Sequence, residues 1–164
     1  MKRCIIRRQS ARVISERKVG RVENLNLQFV QALLAHAVEK AGKEFGKPVC
    51  VSVCDGHGFL AGFLRMDDAP VRSIQIAHQK AYTCTRMGVT TDAFLKRLRE
   101  EDIPIGYFCD SLLTALPGGA VLTDARGQVR GAVGISGLAP AQDQALADEI
   151  ARFGAQYASP AAAS

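Results

Sequence analysis

The chain has 164 residues, 48% of them hydrophobic, which is enough for one domain with a buried core. No stretch approaches the roughly 18 uninterrupted apolar residues of a membrane span, so a membrane-integral protein is excluded. The formal charge of +5 is uneven: residues 1–21 hold eight Lys or Arg against Glu16 alone, a net +7, which leaves the rest of the chain at −2.

That basic arm has no aromatic residue for base stacking and no DNA-reading motif beside it, so nucleic acid is not the expected partner. A solvated or subunit-contacting arm is. Ile5-Ile6 is followed at once by Arg7-Arg8, leaving no apolar core for a signal peptide, and the expected address is the cytoplasm. The five cysteines (Cys4, Cys50, Cys54, Cys84, Cys109) are odd in number and scattered, as free thiols of a reducing compartment are. The expected division is a basic arm over 1–23, one domain over 24–155 and a disordered tail over 156–164.

Apolar residues at Val30, Leu33, Leu34, Ala37, Val38 and Ala41 have helical spacing, with Asn26 as N-cap and Gly42, Gly46 and Pro48 as stop signals, which predicts a helix over about 27–44. Val49 to Cys54, a turn at Asp55-Gly56-His57-Gly58, and Phe59 to Leu64 read as a β-hairpin. Pro70 opens a second helix over about 71–87 and Gly88 closes it. Thr90 or Thr91 caps a third, amphipathic helix carrying Phe94, Leu95 and Leu98. The segment from Ile103 to Leu116 reads as a loop with room for one short strand. Gly119 to Thr123 and Val129 to Ser136 form a second hairpin, and a last helix runs from about Ala139 to Phe153. Two hairpins separated by helices make the class α+β, an antiparallel sheet packed against helices.

Taken in order, Pro48 to Asp55 with Gly58-Phe59-Leu60, Arg65-Met66-Asp67 with Ala69-Pro70, Lys80-Ala81-Tyr82-Thr83, Pro117-Gly118-Gly119, Gly131 to Gly137, and Gln142-Asp143 resemble the GlcG/HbpS-like family. That family includes the C-terminal domain of PduO-type corrinoid adenosyltransferases. The likeness spans roughly residues 24–155 and departs at Gly56-His57-Gly58, where a glycine pair is common, and at Ala120-Val121, where the family often has proline. It implies a profilin-like fold with a five-stranded antiparallel sheet flanked by helices, homo-oligomers that are often octamers, and binding of haem or a related small molecule.

Haem needs an axial donor, usually a neutral imidazole, in an apolar cleft, and the chain has three histidines. His36 is preferred, because the family's histidine-ligated members resemble this chain in taking the ligand from the first helix; the alternative is a helix-surface histidine bonded to a neighbour. His78 shares a helical stripe with Ile74 and Tyr82 and is either a second ligand or a satisfied core residue. His57 lies in a turn and reads as exposed. Lys80 and Arg65 can meet haem propionates, or serve structure, with Asp55 or Asp67 as the partner of Lys80. Cys50 and Cys54 stand about 13 Å apart along one strand, too far for one zinc ion, so no metal site is expected. Amides around Gly118-Gly119 and Gly134 to Gly137 offer either an anion-binding concavity or tight packing.

Three functions remain open on this reading: a haem-binding module for sensing, transport or degradation; an isomerase or tautomerase of a catabolic operon acting on a carboxylated metabolite, with Lys80, Asp55 and Cys84 as its candidate groups; and an oligomer whose pocket is vestigial.

Overall fold

The computed structural model describes residues 25–124 and 126–157. The basic arm and nearly all of the expected tail lie outside the described residues.

Helix α1 covers Leu27–Lys40 and extends through a π-turn at Ala41–Phe45. Asn26 caps it as expected, its side-chain oxygen accepting from the Phe29 amide at 2.8 Å. Strands β1 (Cys50–Asp55) and β2 (Leu60–Arg65) form the first hairpin, and α2 (Arg72–Met87) follows, closed by Gly88 at φ +69°. Helix α3 covers Thr91–Glu100, and the segment after it holds a 3-10 turn at Ile105–Phe108 rather than the short strand that the sequence left room for. That segment is tied to α2 instead of to a sheet: Tyr82 Oη donates to Asp110 at 2.9 Å, and the Thr114 amide donates to Thr83 Oγ1 at 2.9 Å. Strands β3 (Gly119–Thr123) and β4 (Val129–Ser136) make the second hairpin, and α4 (Pro140–Gln156) ends the domain.

The sheet is antiparallel with order β2-β1-β4-β3, so among the described residues it has four strands and not the five that the family resemblance implied. The two hairpins meet along β1 and β4, whose register pairs Cys50 with Ser136 and Asp55 with Gly131. Alternation along β1 separates two faces. Val51 and Val53 join Val133, Ile135 and Leu122 against Leu33 and Ala37 of α1 and Leu146 and Ile150 of α4, forming the main core. Cys50, Ser52 and Cys54 face α2, where Cys50 packs with Ala69, Ala77 and Phe63. The result is three layers, with α1 and α4 on one face of the sheet and α2 on the other.

Helix α2 comes down onto β4 where a side chain would stop it. A Cβ on Gly134 would lie 2.1 Å from the Ala77 carbonyl oxygen and 2.6 Å from the Ala81 nitrogen. Backbone cannot yield as a side-chain tip can. Gly134→Ala is therefore expected to lower stability by about 3 kcal/mol or more, read as a shift in urea midpoint with little change in slope.

Candidate functional site

Lys80 is fully buried on α2, and its ammonium donates to Asp143 Oδ2 at 2.8 Å and to the Ile135 carbonyl at 2.7 Å. Its partner is thus Asp143 of α4, correcting the expectation of Asp55 or Asp67. The other carboxylate oxygen of Asp143 accepts from the Leu138 amide at 3.0 Å. Burial outweighs mutual attraction in the ionisation of both groups, lowering the Lys80 pKa and raising that of Asp143. Gly118, at φ +130°, passes so close that a Cβ would fall 2.6 Å from Lys80 Nζ.

Its amide and that of Gly119 are also committed. Gly118 donates to Gln144 Oε1 at 2.7 Å, Gly119 donates to Thr91 Oγ1 at 2.8 Å, and Gln144 Nε2 donates back to the Gly119 carbonyl at 3.1 Å. The glycines here serve close packing, with these two amides satisfied from within rather than held open for an anion.

The three groups considered for acid-base catalysis do not meet. Lys80 Nζ sits at Ile135, opposite Val51, whereas Asp55 ends β1 four residues on, about 13 Å along the strand. Asp55 accepts from the His57 and Phe59 amides of its own turn, at 2.9 and 3.0 Å. Cys84 is buried, and desolvation pushes its thiol up to about 12, far from a nucleophile's range. Arg65 donates to the Ala69 carbonyl at 3.0 and 2.7 Å, closing the turn that leads into α2.

The histidines lie in three separate places. His57 is exposed in the β1–β2 turn, as expected. His78 is half-buried against β1, with Nδ1 3.4 Å from Ser52 Oγ and 3.5 Å from Cys54 Sγ. His36 lies in the seam between α1 and α4, stacked on Phe153 at a centroid separation of 4.1 Å and an angle of 16°. The Nε2 atom of His36 is buried and has no hydrogen-bond partner; the carboxylate of Glu149 stands 3.8 Å away. Glu149 is in turn reached by Arg152 at 2.8 Å and Lys40 at 3.5 Å, and the Arg152 hydrogen bond is the main cause that holds its pKa below the usual value. The aromatic row continues along the seam, Phe153 to Tyr157 at 5.8 Å and Tyr157 to Phe29 at 5.1 Å. Sequence reasoning had singled out His36 but not Phe153, Glu149 or Arg152, whose apolar-and-charged spacing late in α4 was the available signal.

Among the described residues no three His, Cys, Asp or Glu side chains gather as a metal cluster, and no helix is long and apolar enough to cross a membrane.

The family described as "Haem degrading protein HbpS-like" matches residues 25–152. The chain belongs to the HbpS-like family. It is 36% identical over 119 residues to an uncharacterized 15.0 kDa protein of Citrobacter freundii from the dhaT-dhaS intergenic region, covering 70% of this chain and 82% of that one. Among solved structures it is similar to PduOC in complex with heme, at a TM-score of 0.71 and 27% identity, over 79% of this chain and 94% of that one. HbpS is similar at a TM-score of 0.71 and 28% identity, over 79% and 89%. In this HbpS-like chain the Lys-Ala-Tyr, Pro-Gly-Gly and Gln-Asp motifs converge on the Lys80–Asp143 contact, so they act in holding the fold.

Breaking that contact leaves a charge stranded in the core. Lys80→Ala or Asp143→Ala is expected to cost about 3–5 kcal/mol each. The pair Lys80→Met with Asp143→Asn, which removes both charges and keeps an acceptor for the Leu138 amide, should recover most of the loss in a double-mutant cycle by urea denaturation.

Proposed function

We propose that the chain binds haem in the seam between α1 and α4, with His36 as axial ligand. The observation that carries the reading is the buried, unpartnered Nε2 of His36. A native structure rarely leaves such an atom without a hydrogen bond, and an unprotonated imidazole nitrogen can instead donate its lone pair to iron.

The surroundings fit the group. Phe153 and Tyr157 supply an aromatic flank, while Lys40 and Arg152 are cations within reach of carboxylates, holding Glu149 as they would hold propionates. His36 would hold the iron and Phe153 would fix the plane of its ring. Bound haem would supply redox and gas-ligand chemistry, in the service of sensing, transport or degradation of the cofactor. The similarity to a PduOC:heme complex and to HbpS supports the same reading. Assembly as a homo-oligomer belongs with it and is supported by the exposure of Phe59, 71%, and Val71, 70%.

Haemin titration followed at the Soret band tests the assignment. Saturable binding is expected in the wild type, weakened roughly tenfold or more in His36→Ala, about 1.4 kcal/mol at the least, and unchanged in His78→Ala. Equal binding by wild type and His36→Ala would overturn the seam as the site.

A further inference from the structure

We propose that Glu149 is a latch across the α1–α4 seam: in the ligand-free chain its carboxylate occupies Lys40, Arg152 and the approach to His36, and a ligand bearing carboxylates of its own displaces it. The proposal rests on the haem reading of that seam and adds how the seam opens and what class of ligand opens it.

Glu149 belongs to α4, and its two carboxylate oxygens face different ways. One stands on the α1 side, 3.5 Å from Lys40 Nζ and 3.8 Å from His36 Nε2, while the other accepts from Arg152 at 2.8 Å, one turn on along α4. At 3.8 Å the oxygen and the ring nitrogen are almost in contact, so nothing passes between them while Glu149 stays. Lys40 is also held by Glu44 at 2.9 Å, from the π-turn that follows α1. With His36 neutral, this rim pairs two cations with two carboxylates.

Haem upsets that balance. Its two propionates carry the same charge and the same paired oxygens as Glu149, so Lys40 and Arg152 cannot hold all three carboxylates at full strength. With the propionates on the cations, Glu149 is left as surplus negative charge beside them, and like charges at this range repel. Turning outward relieves the conflict. The side chains of Glu149 and Lys40 are 29% and 30% exposed, so the carboxylate can rotate into water without stranding a buried charge. The enclosed Lys80–Asp143 pair has no such exit. A porphyrin without free carboxylates leaves Glu149 its cations, so the latch favours the dicarboxylate ligand.

The test is a haemin titration of the full chain, wild type beside Glu149→Gln and Lys40→Gln, followed at the Soret band and repeated with haemin dimethyl ester, whose propionates are masked. An exposed ion pair is worth up to roughly fivefold in an equilibrium, so Glu149→Gln, which frees both cations, should bind haemin about 3- to 30-fold more tightly. Lys40→Gln should bind it more weakly, the opposite sign from a seam that has merely been loosened. With the ester the gain in Glu149→Gln should be smaller. Should Glu149→Gln fail to fold, Glu149→Asp, which draws the charge back on a shorter arm, takes its place with the same sign expected. Unchanged or weaker haemin binding in the Glu149 variant, or an equal gain with the ester, would overturn the latch and leave the seam in place. Haemin binding that does not depend on His36 removes the seam, and the latch with it.

Discussion

The buried contact between Lys80 and Asp143 holds together two helices that have no other reason to meet. Helix α2 lies on one face of the sheet and α4 on the other, so the usual apolar packing cannot join them directly. The ammonium reaches past Gly118, just before β3, and finds a carboxylate whose second oxygen is already engaged by the chain entering α4. Desolvation of two charges is costly, and their attraction alone is a poor source of stability. What the pair supplies is registry. An ammonium with two acceptors and a carboxylate with an amide on its other oxygen admit one arrangement, and every alternative leaves a charge unpaired in the core.

The small residues around the pair are consequences of it. For Lys80 to reach Asp143, α2 must lie close on β4, and Gly134 lets the Ala77 and Ala81 backbone approach. Gly118 and Gly119 must thread between Lys80, Cys84 and Thr91, where a Cβ would fall under 3 Å from each. Thr91 and Gln144 then satisfy the two amides that this close passage removes from water. Polar groups that look like equipment for ligand binding are accounted for by backbone bookkeeping inside the fold.

Local patterns were legible in the sequence because their causes are local. The 3.6-residue spacing of Val30, Leu33 and Ala37, the Asn26 cap, and the two glycine-bounded hairpins all appear within a residue or two of where they were expected. The partner of Lys80 was not legible, because 63 residues separate it from Asp143 and no spacing rule reaches that far. Nor was the sheet order, which follows from β1 pairing with β4 across the intervening helices. The fifth strand came from resemblance rather than from any apolar run in this chain, and the segment between Ile103 and Leu116 spends its polar groups on α2 instead. His36 was visible as an imidazole on a helix, but its solitude was not. That property depends on Phe153 covering one side and on Glu149 stopping short of hydrogen-bond distance.

A division of labour follows between motif and site. The residues through which the chain resembles its family, Lys80, Gly118, Gly119, Gly134 and Asp143, are those whose chemistry the fold consumes. Each is saturated or sterically enclosed, so none has a free valence for a ligand. An unspent imidazole nitrogen lies elsewhere, on His36 in the outer seam. That seam is built on two helices packed over the sheet, so its side chains can differ from one relative to another without disturbing the central contact. A fold whose registry is secured by a closed polar core can therefore keep its architecture while its ligand chemistry changes, and chemical identity in this chain has to be read from the residues outside the motifs.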